Sequence, residues 1–219
     1  MEHDFWHERW RNGEIGLHQN EVNPYFLKYW DALAVSDTGT VFVPLCGKSA
    51  EMIWLRQRGH PVLGNELIMI AVQSFFAENG AIPHATMLDN FECLENDGIR
   101  LLCGDFFALR AEDVAQVGAV YDPAALVALP PEMRRQYAAH MARILPPGTL
   151  MLLVVMDYPQ QEMNGPPFAV TLDEVREHYG NAADIEVLQS RDVLDENPCF
   201  KQQGLARMRG ACVAPALLV

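Results

Sequence analysis

One glycine in a strand-to-helix loop, and one acid about 20 residues further on, are the residues whose spacing could do chemistry. The stretch Val41-Phe-Val-Pro-Leu-Cys-Gly-Lys-Ser-Ala50 reads as an apolar strand, a loop around Gly47 and the start of a helix. In open α/β sheets, ligands meet such loops at the carboxyl ends of the strands. Three ligand classes compete for this one. A phosphate-cradling loop needs G-x-x-x-x-G-K-[ST]; Gly47-Lys48-Ser49 supplies its end, but Phe42 stands where the first glycine belongs. A dinucleotide loop needs G-x-G-x-x-G so that backbone amides reach a pyrophosphate, and here only Gly47 is present. A nucleoside cofactor without phosphates asks less: one close backbone approach, at Gly47, and an acid at the end of the second strand to accept from ribose hydroxyls. Glu66 occupies that place, and S-adenosylmethionine fits both features. A plain turn followed by a capping acid would leave the same trace.

Other side chains carry two readings each. Asp105, in Leu102-Cys-Gly-Asp-Phe-Phe-Ala-Leu109, ends a strand and either borders an adenine or caps the following turn. Asp122 either holds an acceptor or a water, or is a structural acid at a strand end. Trp6 and Trp10 share one helix face at i, i+4, as core anchors or as a cover for a ligand. His3 and His7 have the same spacing, but Asp4 follows His3, so the H-E-x-x-H pattern fails and no metal is expected. The five cysteines, Cys46, Cys93, Cys103, Cys199 and Cys212, contain no C-x-x-C pair. That argues against a disulfide framework or zinc cage and for a reducing compartment; Cys46, within the cofactor loop, reads as a small buried side chain.

The elements that must position these residues alternate in α/β order. Helical segments are expected around Phe5 to Asn12 and Pro24 to Leu33. Strands then follow at Val41 to Leu45 and Val62 to Leu67, each trailed by a helix, at Glu51 to Arg58 and Ile70 to Asn79. Phe91 to Leu94, the turn Asn96-Asp97-Gly98 and Ile99 to Cys103 read as a hairpin. Ala119 to Asp122 is the next strand, and Pro131 to Ile144 a helix stopped by Pro146-Pro147-Gly148. Thr149 to Met156 is the longest apolar strand, and a helix at Leu172 to His178 precedes a weakly patterned tail. Pro215 in that tail predicts a final strand that is short, displaced or at an edge.

With 219 residues, half of them hydrophobic, the chain is expected to fold as one domain over 1–219. Its net charge of -13, with no basic cluster, excludes nucleic acid and anionic membrane surfaces as natural partners and favours small molecules. The first residues lack the basic and apolar regions of a signal peptide, and no apolar run reaches membrane-spanning length, so a cytoplasmic location is expected.

Several stretches in fixed order resemble the thiopurine S-methyltransferase family in its bacterial form. They are Phe5-Trp-His-Glu-Arg-Trp-Arg-Asn-Gly13, Val43-Pro-Leu-Cys-Gly-Lys48, Gly104-Asp-Phe-Phe107, Tyr121-Asp122, Ala124-Ala-Leu-Val-Ala-Leu129, Asp157-Tyr-Pro-Gln160, Gly165-Pro-Pro-Phe168 and Asp192-Val-Leu-Asp-Glu-Asn-Pro198. The resemblance implies a class I methyltransferase, Rossmann-like: a seven-stranded, mostly parallel sheet with helices on both faces. It also implies an N-terminal helical cover, residues 1–35, over the active site of a 36–219 core. It assigns Trp10, Leu45, Glu66 and position 123 to the cofactor, which would be S-adenosylmethionine. It places Leu17 in the acceptor pocket and Phe168, with Pro167, at its mouth; Asp122 joins the acceptor candidates.

The implied activity is methyl transfer to sulfur of aromatic or heterocyclic thiols such as thiopurines, with selenium or tellurium compounds as further acceptors and metalloid detoxification as a role. A monomer is implied, and no general base is assigned. Two departures bear on the site. Pro123 replaces the arginine of the family's Tyr-Asp-Arg motif, removing a charge and a forked donor. Leu67-Ile68-Met69 replaces a capping Leu-Ser-Glu, predicting an uncapped helix with exposed apolar residues beside the ribose site. They frame the alternative, a cofactor-binding or small-molecule-binding protein with impaired catalysis.

Overall fold

A computed structural model describes residues 3–14, 21–36 and 39–217. Eight helices are described: α1 (His3–Asn12), α2 (Pro24–Tyr29), α3 (Glu51–Gln57), α4 (Met69–Glu78), α5 (Ala125–Ala128), α6 (Pro131–Ile144), α7 (Leu172–Tyr179) and α8 (Pro198–Gln202). The strands are β1 (Thr40–Val43), β2 (Val62–Glu66), β3 (His84–Met87), β4 (Glu92–Asn96), β5 (Ile99–Cys103), β6 (Val117–Asp122), β7 (Leu150–Asp157), β8 (Ala183–Asp192) and β9 (Arg209–Leu217). They form one nine-stranded sheet in the order β3-β4-β5-β2-β1-β6-β7-β9-β8. The five strands from β5 to β7 are parallel to their neighbours; the flanking pairs are antiparallel.

The count exceeds the expected seven because β3 and β4 extend the β5 edge. The β4–β5 hairpin closes through Asp97 and Gly98, both at positive φ (45° and 76°), the tight turn for which Asp-Gly is suited. β3 escaped the sequence reading because all four of its residues are exposed.

Alternation along the central strands builds two cores. Val41, Val43, Leu101, Ala119 and Leu152 pack against α2, α3 and α4 through Phe26, Met52, Leu55 and Phe75. Phe42, Leu102, Val120, Met151 and Leu153 face α6 and α7, meeting Tyr137, Met141, Val175 and Tyr179. Near-continuous burial of both faces is what a parallel sheet covered by helices requires. Helix boundaries follow local chemistry: Pro131 opens α6, and Thr171 caps α7 by accepting the Glu174 amide at 3.1 Å.

Two tail expectations are corrected. β9 is neither short nor at an edge: it runs nine residues between β7 and β8. Pro215 is accommodated because the β7–β9 ladder keeps one register from Leu153↔Val213 to Leu150↔Ala216, skipping the positions between, while Ile185 still pairs with Pro215 on the other side. The cost is one ladder donor. Nor does Ile68 project into solvent; it is buried, and Met69 is half-buried against the α3–α4 core. Ile70 alone of that run is exposed. No helix among the described residues is long and apolar enough to cross a membrane.

Candidate cofactor and acceptor cavity

The order of strands reverses between β1 and β6, and the loop leaving β1 lies at that switch point, where open α/β sheets bind ligands. Leu45 and Gly47 in this loop take positive φ, 46° and 51°. For leucine that conformation costs roughly 1–2 kcal/mol, so the surrounding contacts must hold it. The amide of Cys46 donates to the Asn65 carbonyl at 2.9 Å, and the amide of Gly47 donates to Oε2 of Glu66 at 2.8 Å. Oε1 of Glu66 takes the amide of Ile68 at 2.9 Å. The carboxylate thus ties the residue before α4 to the loop, while α4 itself starts without a side-chain cap, as expected.

Glu66 is 7 % exposed. Burial raises its pKa above the ordinary carboxylate value, opposed by the amides of Ile68, Gly47 and Leu67. Desolvation, with Glu66 as a second contributor, also holds the Cys46 thiol well above its usual value, so Cys46 is a neutral wall residue.

Above the loop sits α1. A Cβ on Gly47 would lie 3.5 Å from the Trp10 ring, so the indole covers this backbone directly. Trp6 and Arg9 face the same cavity. Glu51, at the start of α3, joins three segments: it accepts from the Asn23 amide (2.8 Å), the Tyr121 hydroxyl (3.2 Å) and the Ser49 hydroxyl. Asp105 reaches the cavity wall and caps its own turn by accepting the Phe107 amide at 2.9 Å. The cation of the rejected phosphate loop is committed elsewhere: Lys48 Nζ lies 2.6 Å from Oε1 of Glu78.

These groups line one end of a cavity of about 990 Å³. Trp10, Leu45, Glu66 and Pro123 all reach its wall. Leu17 lies outside the described residues. Asp122 stands behind the wall, 1 % exposed, with its oxygens taken by the Tyr137 hydroxyl and the Ala125 amide, each at 2.8 Å. Burial pushes its pKa up to about 6 despite those donors. It holds α5 in place and presents no oxygen to an acceptor.

Phe168 is not among the wall residues: its ring packs over Gly165 and its amide donates to the Val127 carbonyl, while Pro167, expected beside it, lines the wall with Pro166. Met133, Met156, Met163, Cys199, Phe200 and Gln203 line the same cavity.

The family model for thiopurine S-methyltransferase matches residues 1–214. The chain belongs to the thiopurine S-methyltransferase family. Among curated relatives, the thiopurine S-methyltransferase of Nitrosospira multiformis is 53% identical over 209 residues, covering 95% of both chains. That of Pseudomonas fluorescens is 49% identical over 208 residues, again covering 95% of each. Among solved structures, the 1,6-didemethyltoxoflavin-N1-methyltransferase of Burkholderia thailandensis, with bound 1,6-didemethyltoxoflavin and S-adenosylhomocysteine, superposes with a TM-score of 0.67. The match covers 99% of this chain and 87% of that one at 13% identity. A methyltransferase of Anabaena variabilis described as SAM-dependent gives 0.66 over 98% and 94%. The fold is that of class I methyltransferases, with the N-terminal helix α1 over the strand ends.

For a member of this family the residues present fit S-adenosylmethionine. The buried Glu66 carboxylate at the β2 end suits ribose, the side-chain-free Gly47 admits close approach, and the volume lies at the upper end of the range for ligand pockets. Sequence reasoning missed Glu51, because an acid in the first turn of a helix is ordinary. It also missed the methionine and α8 wall, whose members are far apart in the chain and carry no spacing signal.

Proposed function

We propose that this chain is an S-adenosylmethionine-dependent S-methyltransferase for aromatic and heterocyclic thiols, thiopurines among them. The observation that carries the reading is the Gly47–Glu66 pair at the wall of a cavity with room for two reactants. When bound, S-adenosylmethionine supplies an electrophilic methyl carbon on a sulfonium. Glu66 accepts from its ribose hydroxyls, Trp10 roofs it, and Leu45, fixed at positive φ, sets the loop beside it.

The acceptor gains the methyl on sulfur and releases one proton to water, since the carboxylates of the wall belong to the cofactor end. An apolar, water-poor surface favours a step in which anion and cation charges cancel. Alignment and desolvation are then the protein's main contributions. Pro123 occupies the wall without supplying a charge. A binding protein without turnover is the less favoured reading, because the loop, the acid and the indole cover are all in place.

We further assign the chain as one domain whose residues 1–35 cover the site, acting as a monomer in the cytoplasm. Selenium and tellurium compounds are additional acceptors, with metalloid detoxification as the associated role. The test is methyl transfer from S-adenosylmethionine to 6-mercaptopurine, followed by mass spectrometry of the product. Methylated product from the native chain and none from Glu66→Ala is expected; no product with any thiol would overturn the assignment.

A further inference from the structure

We propose that the acceptor site selects thiols whose ring carries no negative charge, and discriminates against carboxylated thiols of the same size. This rests on the methyltransferase reading and specifies its substrate class. The charged residues of the cavity wall are Arg9, Glu14, Lys48, Glu51, Glu66 and Asp105. They come from α1 and the residues just after it, the loop after β1, the start of α3, the end of β2 and the loop after β5. Two cations stand against four carboxylates, so the wall is net negative. Neither cation is spare: Lys48 is bridged to Glu78, and the Arg9 guanidinium stacks on Phe5 at 5.0 Å, within 4.0 Å of Glu14.

The part of the wall contributed by residues 123–203 holds no cation among the described residues. Its wall is thioether, proline and aromatic surface from Met133, Met156, Met163, Pro166, Pro167 and Phe200. Its polar groups are neutral. The Tyr137 hydroxyl is committed to Asp122 and the Asn197 amide nitrogen to the Val193 carbonyl. The Asn164 and Gln203 amides have no side-chain partner among the described residues, and both reach the wall, where they can meet a ring nitrogen or carbonyl.

Pro123 sits on this wall where the family's motif carries arginine, so this position offers an anion no cation. A carboxylate brought here would lose water for neutral amide donors at best, would meet no cation and would face the field of four carboxylates. A neutral heteroaryl ring loses little.

The experiment compares 4-mercaptobenzamide with 4-mercaptobenzoate, nearly isosteric and one charge apart, as acceptors for the native protein with S-adenosylmethionine. A kcat/KM about 100-fold higher for the amide is expected, the order by which an apolar pocket rejects a near-isostere carrying a more polar group. Gln203→Arg, at an exposed wall position, and Pro123→Arg should each narrow the ratio by raising turnover of the carboxylate. If either variant folds poorly, the other carries the comparison, with thermal denaturation as the check.

Equal kcat/KM for the two thiols, or preference for the carboxylate, would overturn the charge selection while leaving the methyltransferase reading intact. No methyl transfer to either compound, or to any neutral thiol, would remove that reading and this inference together.

Discussion

The amide of Gly47 donates to Oε2 of Glu66 at 2.8 Å, across 19 positions of sequence. With Oε1 held by the Ile68 amide, one side chain fixes the loop after β1 and the start of α4 together. The acid proposed to read the ribose therefore also shapes the backbone that approaches the cofactor. Substitutions at Glu66 will not separate binding from local order unless both are measured.

Glu66→Ala removes the acceptor of two amides. Leaving buried donors unpaired costs roughly 1–3 kcal/mol, so a lower denaturation midpoint is expected together with loss of S-adenosylmethionine binding in calorimetry. Glu66→Gln retains one carbonyl oxygen and should recover part of the stability but little of the affinity. Because burial raises the Glu66 pKa, cofactor affinity should be full at neutral pH and should weaken while pH is still above the ordinary carboxylate range. A flat affinity from pH 7 down to pH 4 would argue against an ionised Glu66 as the ribose acceptor.

Asp122 offers a pH test of stability without touching the cavity. Its pKa rises from 3.8 to about 6 on folding, chiefly by desolvation. A group with a raised folded pKa stabilises fully below the unfolded value, and that stabilisation is lost as pH rises through the folded value. Between pH 4 and pH 6 the unfolding free energy should thus fall by up to roughly 3 kcal/mol from this residue alone. Asp122→Asn should lack that component, so the difference between native and variant urea titrations should change with pH across this window and level off above it. Parallel curves would place the titration elsewhere.

How far the sequence reveals this molecule depends on whether its signals are local. α6 matches its expected bounds because Pro131 starts it and Pro146-Pro147-Gly148 follows it, and β5 matches because Asp97-Gly98 fixes the hairpin. The tail was misread because a proline was treated as forbidding a central strand, whereas register on the β8 side carries β9 through Pro215. The cofactor end of the cavity is legible, since Gly47 and Glu66 lie at two consecutive strand ends. The acceptor end is not: Met133, Met163 and Phe200 meet only through tertiary packing, and Phe168 lies next in sequence to the Pro167 wall position while pointing away.

Glu51 should behave as a structural tie and not as a cofactor ligand. It is 6 % exposed and accepts from the Asn23 amide, the Tyr121 hydroxyl and the Ser49 hydroxyl. Glu51→Ala strands these donors, and a loss of about 2–3 kcal/mol is expected in denaturant titrations. Asn23 precedes α2, so cleavage by a protease near residues 21–36 should accelerate as well. Unchanged stability with selectively lost cofactor affinity would instead make Glu51 a direct ligand.

Trp10 gives an optical test of the cover. The chain has four tryptophans; Trp30 is buried beside Phe26, and Trp54 lies under the Arg58 guanidinium, which is 3.9 Å from its ring centroid. Only Trp6 and Trp10 reach the cavity wall, and Trp10 lies over Gly47. Binding of S-adenosylhomocysteine should therefore change the emission of the native protein, and Trp10→Phe should abolish most of that change while Trp6→Phe retains it. The affinity of Trp10→Phe should fall by about 10-fold, since phenylalanine keeps an aromatic face but covers less of the ligand. A full fluorescence response in Trp10→Phe would mean that the indole does not roof the cofactor and that the contact with Gly47 serves only to pack α1 onto the loop.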